Sequence, residues 1–404
     1  METRGEQMLA LRRARLAASP PFLRGGFRPF FLGGATWAFI ALLLWLAALS
    51  GLSPLPSASS PLAWHRHEML FGFVGAVMCG FLLTAIPNWT GRLPIAGLPL
   101  AALFGLWLAA RLALLFSGVL SVATAFVLDV GFYILVAALF AREVLSGNSR
   151  NLPIVGLMFL FSFANALDHA GAVGMLRDEA IGYRSGISLV VIMISLIGGR
   201  IIPSFTRNWL AKRSIKDHLP VQANRFDFVT IILTAVALIV WTALPRHMFA
   251  GSLLVLAAIF QAVRLGRWRG VRAAADPLVL ILHVGYFWVP VGLALIGVSI
   301  LSPDVPVSAG IHALTAGAMA TMILAVMSRA TLGHTGRELR ANPATSFMYL
   351  LVTIGAVLRV AAAFDLSGDT RGIELAGISW AGAFLIFLFA YGPMLLKARI
   401  DDLR

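Results

Sequence analysis

HEMLFGFVGAVMCGFLLTAIP, residues 67–87, carries no charged residue after Glu68. A helix needs about 20 predominantly apolar residues to cross a bilayer, and this run supplies them. Runs of the same kind recur along the chain between Gly, Pro and charge punctuation. Twelve spans are expected, near 31–50, 67–87, 93–116, 118–141, 152–172, 186–206, 226–244, 247–265, 276–300, 308–330, 342–363 and 372–397. The expected fold class is all-α, a polytopic membrane protein. It is expected as a single integral membrane domain over residues 1–404, with a basic tail at 1–30, the spans within 31–397 and a short tail at 398–404.

Composition agrees. The 404 residues are 59% hydrophobic and only 12% charged, with a mean hydropathy of +0.87. Ordinary soluble domains carry about 25% charged residues. The net charge of +14 invites a nucleic-acid reading, but membrane topology explains it without one. With the N-terminus inside, most of the 32 Lys and Arg fall in cytoplasmic tails and loops. Only Arg66, Arg177, Arg184, Arg246 and Arg371 fall on the other side, and Arg111, Arg200, Arg329 and Arg359 lie within spans. The opposite orientation would expose the basic loops at 207–225 and 264–272 to the outside, against the positive-inside rule. Both termini are therefore expected in the cytoplasm of a bacterial cell, with the chain in the inner membrane, lipid as its partner and no nucleic acid. No apolar core with a small-residue cleavage site follows Arg4, Arg12, Arg13 and Arg15, so the start reads as a tail and not as a signal peptide. The one cysteine, Cys79, excludes a disulfide framework and a thiolate cluster.

Three even-numbered spans end alike. The second closes Ile86-Pro87-Asn88-Trp89-Thr90-Gly91-Arg92 and the sixth Ile202-Pro203-Ser204-Phe205-Thr206-Arg207. The tenth closes Met327-Ser328-Arg329-Ala330-Thr331, with Thr335-Gly336-Arg337 shortly after. The threonines recur four spans apart, which suggests three four-helix repeats.

Eight histidines are present, and the expected topology sorts them. His65 and His67 open the second span, His169 lies near the outer end of the fifth, and His312 opens the tenth. His283 lies about two turns into the ninth span from the cytoplasmic side, and His334 just beyond the tenth. Ionisable groups at membrane depth are functional candidates by default, and neutral imidazole ligates haem iron, copper or zinc. His65 and His67 diverge by about 200° on a helix, so one faces a cofactor while the other faces a second site or the interface. Glu68 is a candidate to orient a ligand histidine. Arg111, Arg200, Arg329 and Arg359 suit haem propionates, which guanidinium binds bidentately; Asp129 and Asp168 offer them ion pairs within the bundle instead, and pairing or snorkelling is the expected role of Arg111 and Arg359. For His218 and His247 a hydrogen bond near a loop suffices; for His169 both roles stay open.

These residues carry a family resemblance. Phe27-Arg28-Pro29-Phe30-Phe31, WHRHEMLFGFVGAV at 64–77, GFLLTAIPNWTGR at 80–92, GGRIIPSFT at 198–206, HALTAGAM at 312–319 and SRATLGHTGR at 328–337 resemble the NnrS family over nearly the whole chain. The resemblance implies a twelve-span protein containing haem (of b type) and copper, linked to the response to nitric oxide and nitrosative stress. It implies His65, His67, His283, His312 and His334 as ligand candidates without dividing them between haem and copper. By analogy with the haem–copper oxidase catalytic subunit, His65 or His67 would clamp a haem with His312. The expected function is to bind or metabolise nitric oxide or a related small ligand, or to protect metal centres from it, with a respiratory electron donor or quinol as a further partner. Two readings of other classes compete: a secondary transporter with His283 and Asp129 as coupling groups, and an assembly factor for a respiratory enzyme.

Overall fold

Lipid offers no partner to a free backbone N–H or C=O, so an apolar chain crossing a membrane must pair those groups within itself. The computed structural model, which describes residues 10–11, 14–147, 151–365 and 369–400, meets that demand with helices and has no strand among those residues. Twelve of the helices are long and apolar enough to cross a membrane: α1 (Phe27–Leu49), α2 (Pro61–Thr90), α3 (Leu98–Leu115), α4 (Val122–Leu145), α5 (Leu152–Ala172), α6 (Ile181–Ala211), α7 (Arg225–Ala243), α8 (Met248–Arg267), α9 (Pro277–Leu301), α10 (Val307–His334), α11 (Pro343–Phe364) and α12 (Arg371–Leu396). The protein is an all-α, multi-pass membrane protein. Residues 1–9, 12–13 and 401–404 of the two expected tails lie outside the described residues.

Two of the boundaries that shift from the sequence reading bear on the histidines. Ser60 caps α2 by accepting from the Ala63 N–H, and Pro61 takes the first helical position, where its missing N–H is no loss. The helix therefore starts before the expected span, and His65 and His67 lie inside it. At the other correction α10 continues to His334, so that histidine belongs to the span.

Contacts divide the chain into two compact units. The first comprises Met1–Tyr183, Ala330–Glu338 and Leu388–Arg404. In it α2 packs against α1 and α4, and α4 packs against α3 and α5. Buried Arg28 donates to the carbonyls of Leu395 (2.8 Å) and Lys397 (2.6 Å) at the end of α12, which satisfies acceptors the helix leaves open. The second unit comprises Arg184–Arg329 and Leu339–Phe387. There α8 packs against α7 and α9, and α10 against α9 and α11.

The helices α2 and α10 share an uncommon break in form. In α2, α-helix over Pro61–His67 gives way to a π-helical segment, Glu68–Val74, and then to α-helix again at Gly75. In α10, Val307–His312 is followed by the π-helical Ala313–Met319 and then by α-helix from Ala320. Both histidines are the last residue before the π segment. One spacing in the chain separates His67 from His312, Gly72 from Gly317, and Thr90-Gly91-Arg92 from Thr335-Gly336-Arg337. Gly91 and Gly336 both take the left-handed conformation, φ 70° and 75°, which ends a helix at little cost only for glycine.

The preceding helix repeats too. A Cβ on Gly34 of α1 would meet Val77, and one on Gly285 of α9 would meet Met322; Trp37 lies against Gly72 as Trp288 lies against Gly317. The pair α1–α2 is thus matched by α9–α10. The counterpart of Thr90 is Thr335, and not Thr331 as the span endings suggested. α6 is α-helical from Ile181 to Ala211 and has no π segment.

Candidate metal centre

Four elements of the first unit converge on His67. Asn165, Asp168 and His169 fall on one face of α5, because residues three and four apart on a helix are neighbours. Asp129 comes from α4, Arg111 from α3, and Glu68 from the first position of the π segment. All seven side chains are buried, Glu68, Arg111, Asp129 and Asn165 completely.

The imidazole of His67 lies between two carboxylates. Its Nδ1 is 2.8 Å from Asp168 Oδ2 and its Nε2 is 2.8 Å from Asp129 Oδ2. The same Asp129 oxygen lies 3.1 Å from His169 Nε2 and accepts from Asn165 Nδ2 at 2.9 Å. Arg111 donates to the other Asp129 oxygen and, at 2.8 Å, to Glu68 Oε2. Trp37 Nε1 also donates to Glu68 Oε2, at 2.5 Å. The π segment contributes acceptors of its own: Trp107 Nε1 donates to the Gly72 carbonyl at 3.1 Å, and the Tyr133 hydroxyl donates to that of Phe71. Side chains from α3 and α4 are thereby tied to the backbone of the widened segment.

Charge makes the arrangement unusual for an apolar interior. Three carboxylates face one guanidinium, and even a His67 protonated on both nitrogens leaves one negative charge over. Buried ions are retained only when paired or coordinated. Asp168 Oδ1, Glu68 Oε1, Asn165 Oδ1 and Arg111 Nε are buried with no hydrogen-bond partner. One ligand atom each from His67, Asp129 and His169 lies within 4.8 Å of the others. Donors at about 2.0–2.1 Å from a tetrahedral ion stand roughly 3.3 Å apart; Asp129 Oδ2 stands 2.8 Å from His67 Nε2 and 3.1 Å from His169 Nε2. Asp168 on Nδ1 is the partner usual behind a ligating histidine, and an ion taken between His67 Nε2 and Asp129 Oδ2 would replace the 2.8 Å contact that those two atoms make. A nitrogen and oxygen donor set suits divalent copper, zinc or iron.

The other candidate residues go elsewhere. His65 stacks on Trp45, ring centroids 4.0 Å apart, and turns away from His67 as the helix geometry required. His283 Nε2 is 2.8 Å from the Thr206 hydroxyl, which donates to the Ile202 carbonyl; its Nδ1 is closed off by Gly270, where a Cβ would strike the ring. That is the geometry of a packed histidine. His334 is exposed and lies against Phe27, centroids 5.2 Å apart. His247 caps α8. Arg329 lies over the Phe205 ring, 4.0 Å from its centroid. It stands roughly 25 Å along α10 from His312 at about 1.5 Å per residue, too far to pair with the carboxylates of a haem ligated there. His312 Nδ1 donates to the Ser308 carbonyl at 2.7 Å, which leaves Nε2 as the unprotonated nitrogen.

Residues 21–399 match the family described as NnrS protein. The chain belongs to the NnrS family. That membership ties this membrane protein to the nitric oxide response. No match is found among curated proteins.

Within this NnrS protein, Asp129, one of the two acids expected to neutralise intramembrane arginines, pairs with Arg111, and two other acids take roles the sequence reading did not give them. Glu68 holds Arg111 and Trp37, and Asp168 is the residue that orients His67. Asn165 was missed altogether. The signal was present: Asn165-Ala166-Leu167-Asp168-His169 puts three polar groups on one face of an otherwise apolar run.

Proposed function

We propose that this NnrS protein is a metal protein of the bacterial inner membrane in which His67, Asp129 and His169 hold a redox-active transition metal, copper by the family resemblance, where nitric oxide binds. The observation that supports it is the buried trio of ligand atoms, with Asp168 behind His67 and Arg111 behind Asp129. When bound, the ion supplies an electrophilic, redox-active position for a small ligand. The chain's own residues do the rest. Asp168 fixes the His67 tautomer, Arg111 keeps Asp129 ionised and oriented, and Asn165 places an amide donor on the oxygen the ligands share. Phe71 beside His67 and Phe126 beside His169, ring centroids 5.1 and 5.5 Å away, keep the pocket dry. The resemblance implies haem as well as copper, and neither nitrogen of His67 is left over for it.

Metal analysis of protein purified in detergent tests this reading. The wild type is expected to retain one non-haem transition-metal ion per chain, and His67→Ala, His169→Ala and Asp129→Asn to lose at least about tenfold in occupancy. Retention in all three variants would remove the centre. The transporter reading rests on the same buried acids and histidines serving protons instead of a metal, and it expects a folded, metal-free protein. Orientation has its own check: reporters fused at the C-terminus and in the 207–225 loop are expected to be active only as cytoplasmic fusions. Periplasmic activity at either point would reverse the topology.

A further inference from the structure

The two matched helix pairs carry different chemistry at the matched position. In α2 the residue after His67 is Glu68, and the π segment reads EMLFGFV; in α10 the residue after His312 is Ala313, and it reads ALTAGAM. The acid and both phenylalanines of the first copy are replaced by alanine in the second. No carboxylate is hydrogen-bonded to His312 among the described residues, and its Nε2 takes no hydrogen bond there. Its Nδ1–H is fixed by the Ser308 carbonyl at 2.7 Å, with the Ser308 hydroxyl 3.2 Å away. Arg359 of α11 reaches that hydroxyl at 3.4 Å and forms no ion pair among the described residues. One side of α10, including Ser308, His312, Thr315 and Ala316, is half-buried.

One neutral nitrogen beside a guanidinium cannot hold a bare cation, which needs several donors and negative charge. It fits a ligand that brings its own remaining metal donors and its own anionic groups. A metal tetrapyrrole with carboxylate arms does both: the iron takes one axial imidazole and the carboxylate takes arginine. We infer that His312 is the axial ligand of the haem implied for this family, with Arg359 pairing a propionate, so that the copies have specialised into a bare-metal site in the first unit and a haem site in the second. The haem comes from the resemblance, while the His312 assignment does not depend on the metal at His67.

The test uses the full chain in detergent, supplied with hemin, and reads haem content, the Soret band and the magnetic circular dichroism of the ferric form. His312→Gly is expected to lower haem occupancy at least about tenfold, and added imidazole to restore occupancy and spectrum. Arg359→Gln is expected to weaken hemin binding about tenfold, the worth of a charge-assisted hydrogen bond, without changing the spectrum. His67→Ala is expected to keep the haem. Full occupancy with an unchanged spectrum in His312→Gly would overturn the inference, and so would a folded wild type that binds no hemin. If the glycine variant does not fold, the wild-type spectrum decides: an imidazole signature supports His312 together with the Arg359→Gln result, and a thiolate or phenolate signature refutes it. Loss of non-haem metal alone in His67→Ala, with the haem intact, separates this site from the first unit's centre.

Discussion

Replacing Arg111 with Met is expected to destabilise the protein by about 3–5 kcal/mol, the range for removing one partner of a buried ion pair. Arg111 is fully buried and holds Glu68 at 2.8 Å and Asp129. Without it both carboxylates lose their counter-charge in an apolar interior, and the loss is of solvation as much as of attraction. The measurement is thermal unfolding in detergent against wild type. Neutralising the acids in the same chain, Glu68→Gln with Asp129→Asn, should recover most of the stability, because the penalty belongs to the stranded charges and not to the missing guanidinium. An Arg111→Met protein as stable as wild type would mean that water or a proton already compensates these groups.

Gly182→Ala is expected to lower metal occupancy at the proposed centre at least about tenfold without touching a ligand. Gly182 begins α6 and lies directly on the backbone of Asp168 in α5, so that an added Cβ would overlap the Asp168 N and Cα atoms. Backbone has no rotamer with which to yield, and α5 must move away. That shift carries Asp168 off His67 Nδ1 and His169 off the shared ligand position. Ligand sets are sensitive to displacements of this size, so occupancy should fall at least about tenfold while the purified protein keeps its helix content. Gly156→Ala, on α5 itself but facing open space, serves as the control and should bind metal as wild type does. Equal occupancy in the two variants would show that α5 is not held by this contact, and the account of the site would fail with it.

The sequence carried the fold further than it carried the site. Apolar runs of bilayer length are a direct physical requirement, and each of the twelve expected spans overlaps one of the twelve long apolar helices, with ends displaced by up to about six residues. The ends were harder. Ser60-Pro61 is a strong start signal, yet it sits in a Ser- and Pro-rich segment that reads as loop until the helix is seen. Residue spacing separated His65 from His67, but the choice of which one faced inward needed the identity of the facing helices. Charged groups were visible individually; the partnership of Glu68 with Arg111 and of Asp168 with His67 depends on which spans are neighbours, and no periodicity within one span encodes that. The π segments left no trace either, since nothing in EMLFGFV or ALTAGAM marks a helix that widens.

The match between α1–α2 and α9–α10 gives the chain an internal control. Gly72 and Gly317 sit at corresponding points of two π segments, each under a tryptophan of the preceding helix. A paired substitution therefore asks one question in two environments within a single molecule. Damage common to both pairs reports on the architecture they share, and damage confined to one reports on the chemistry particular to that pair.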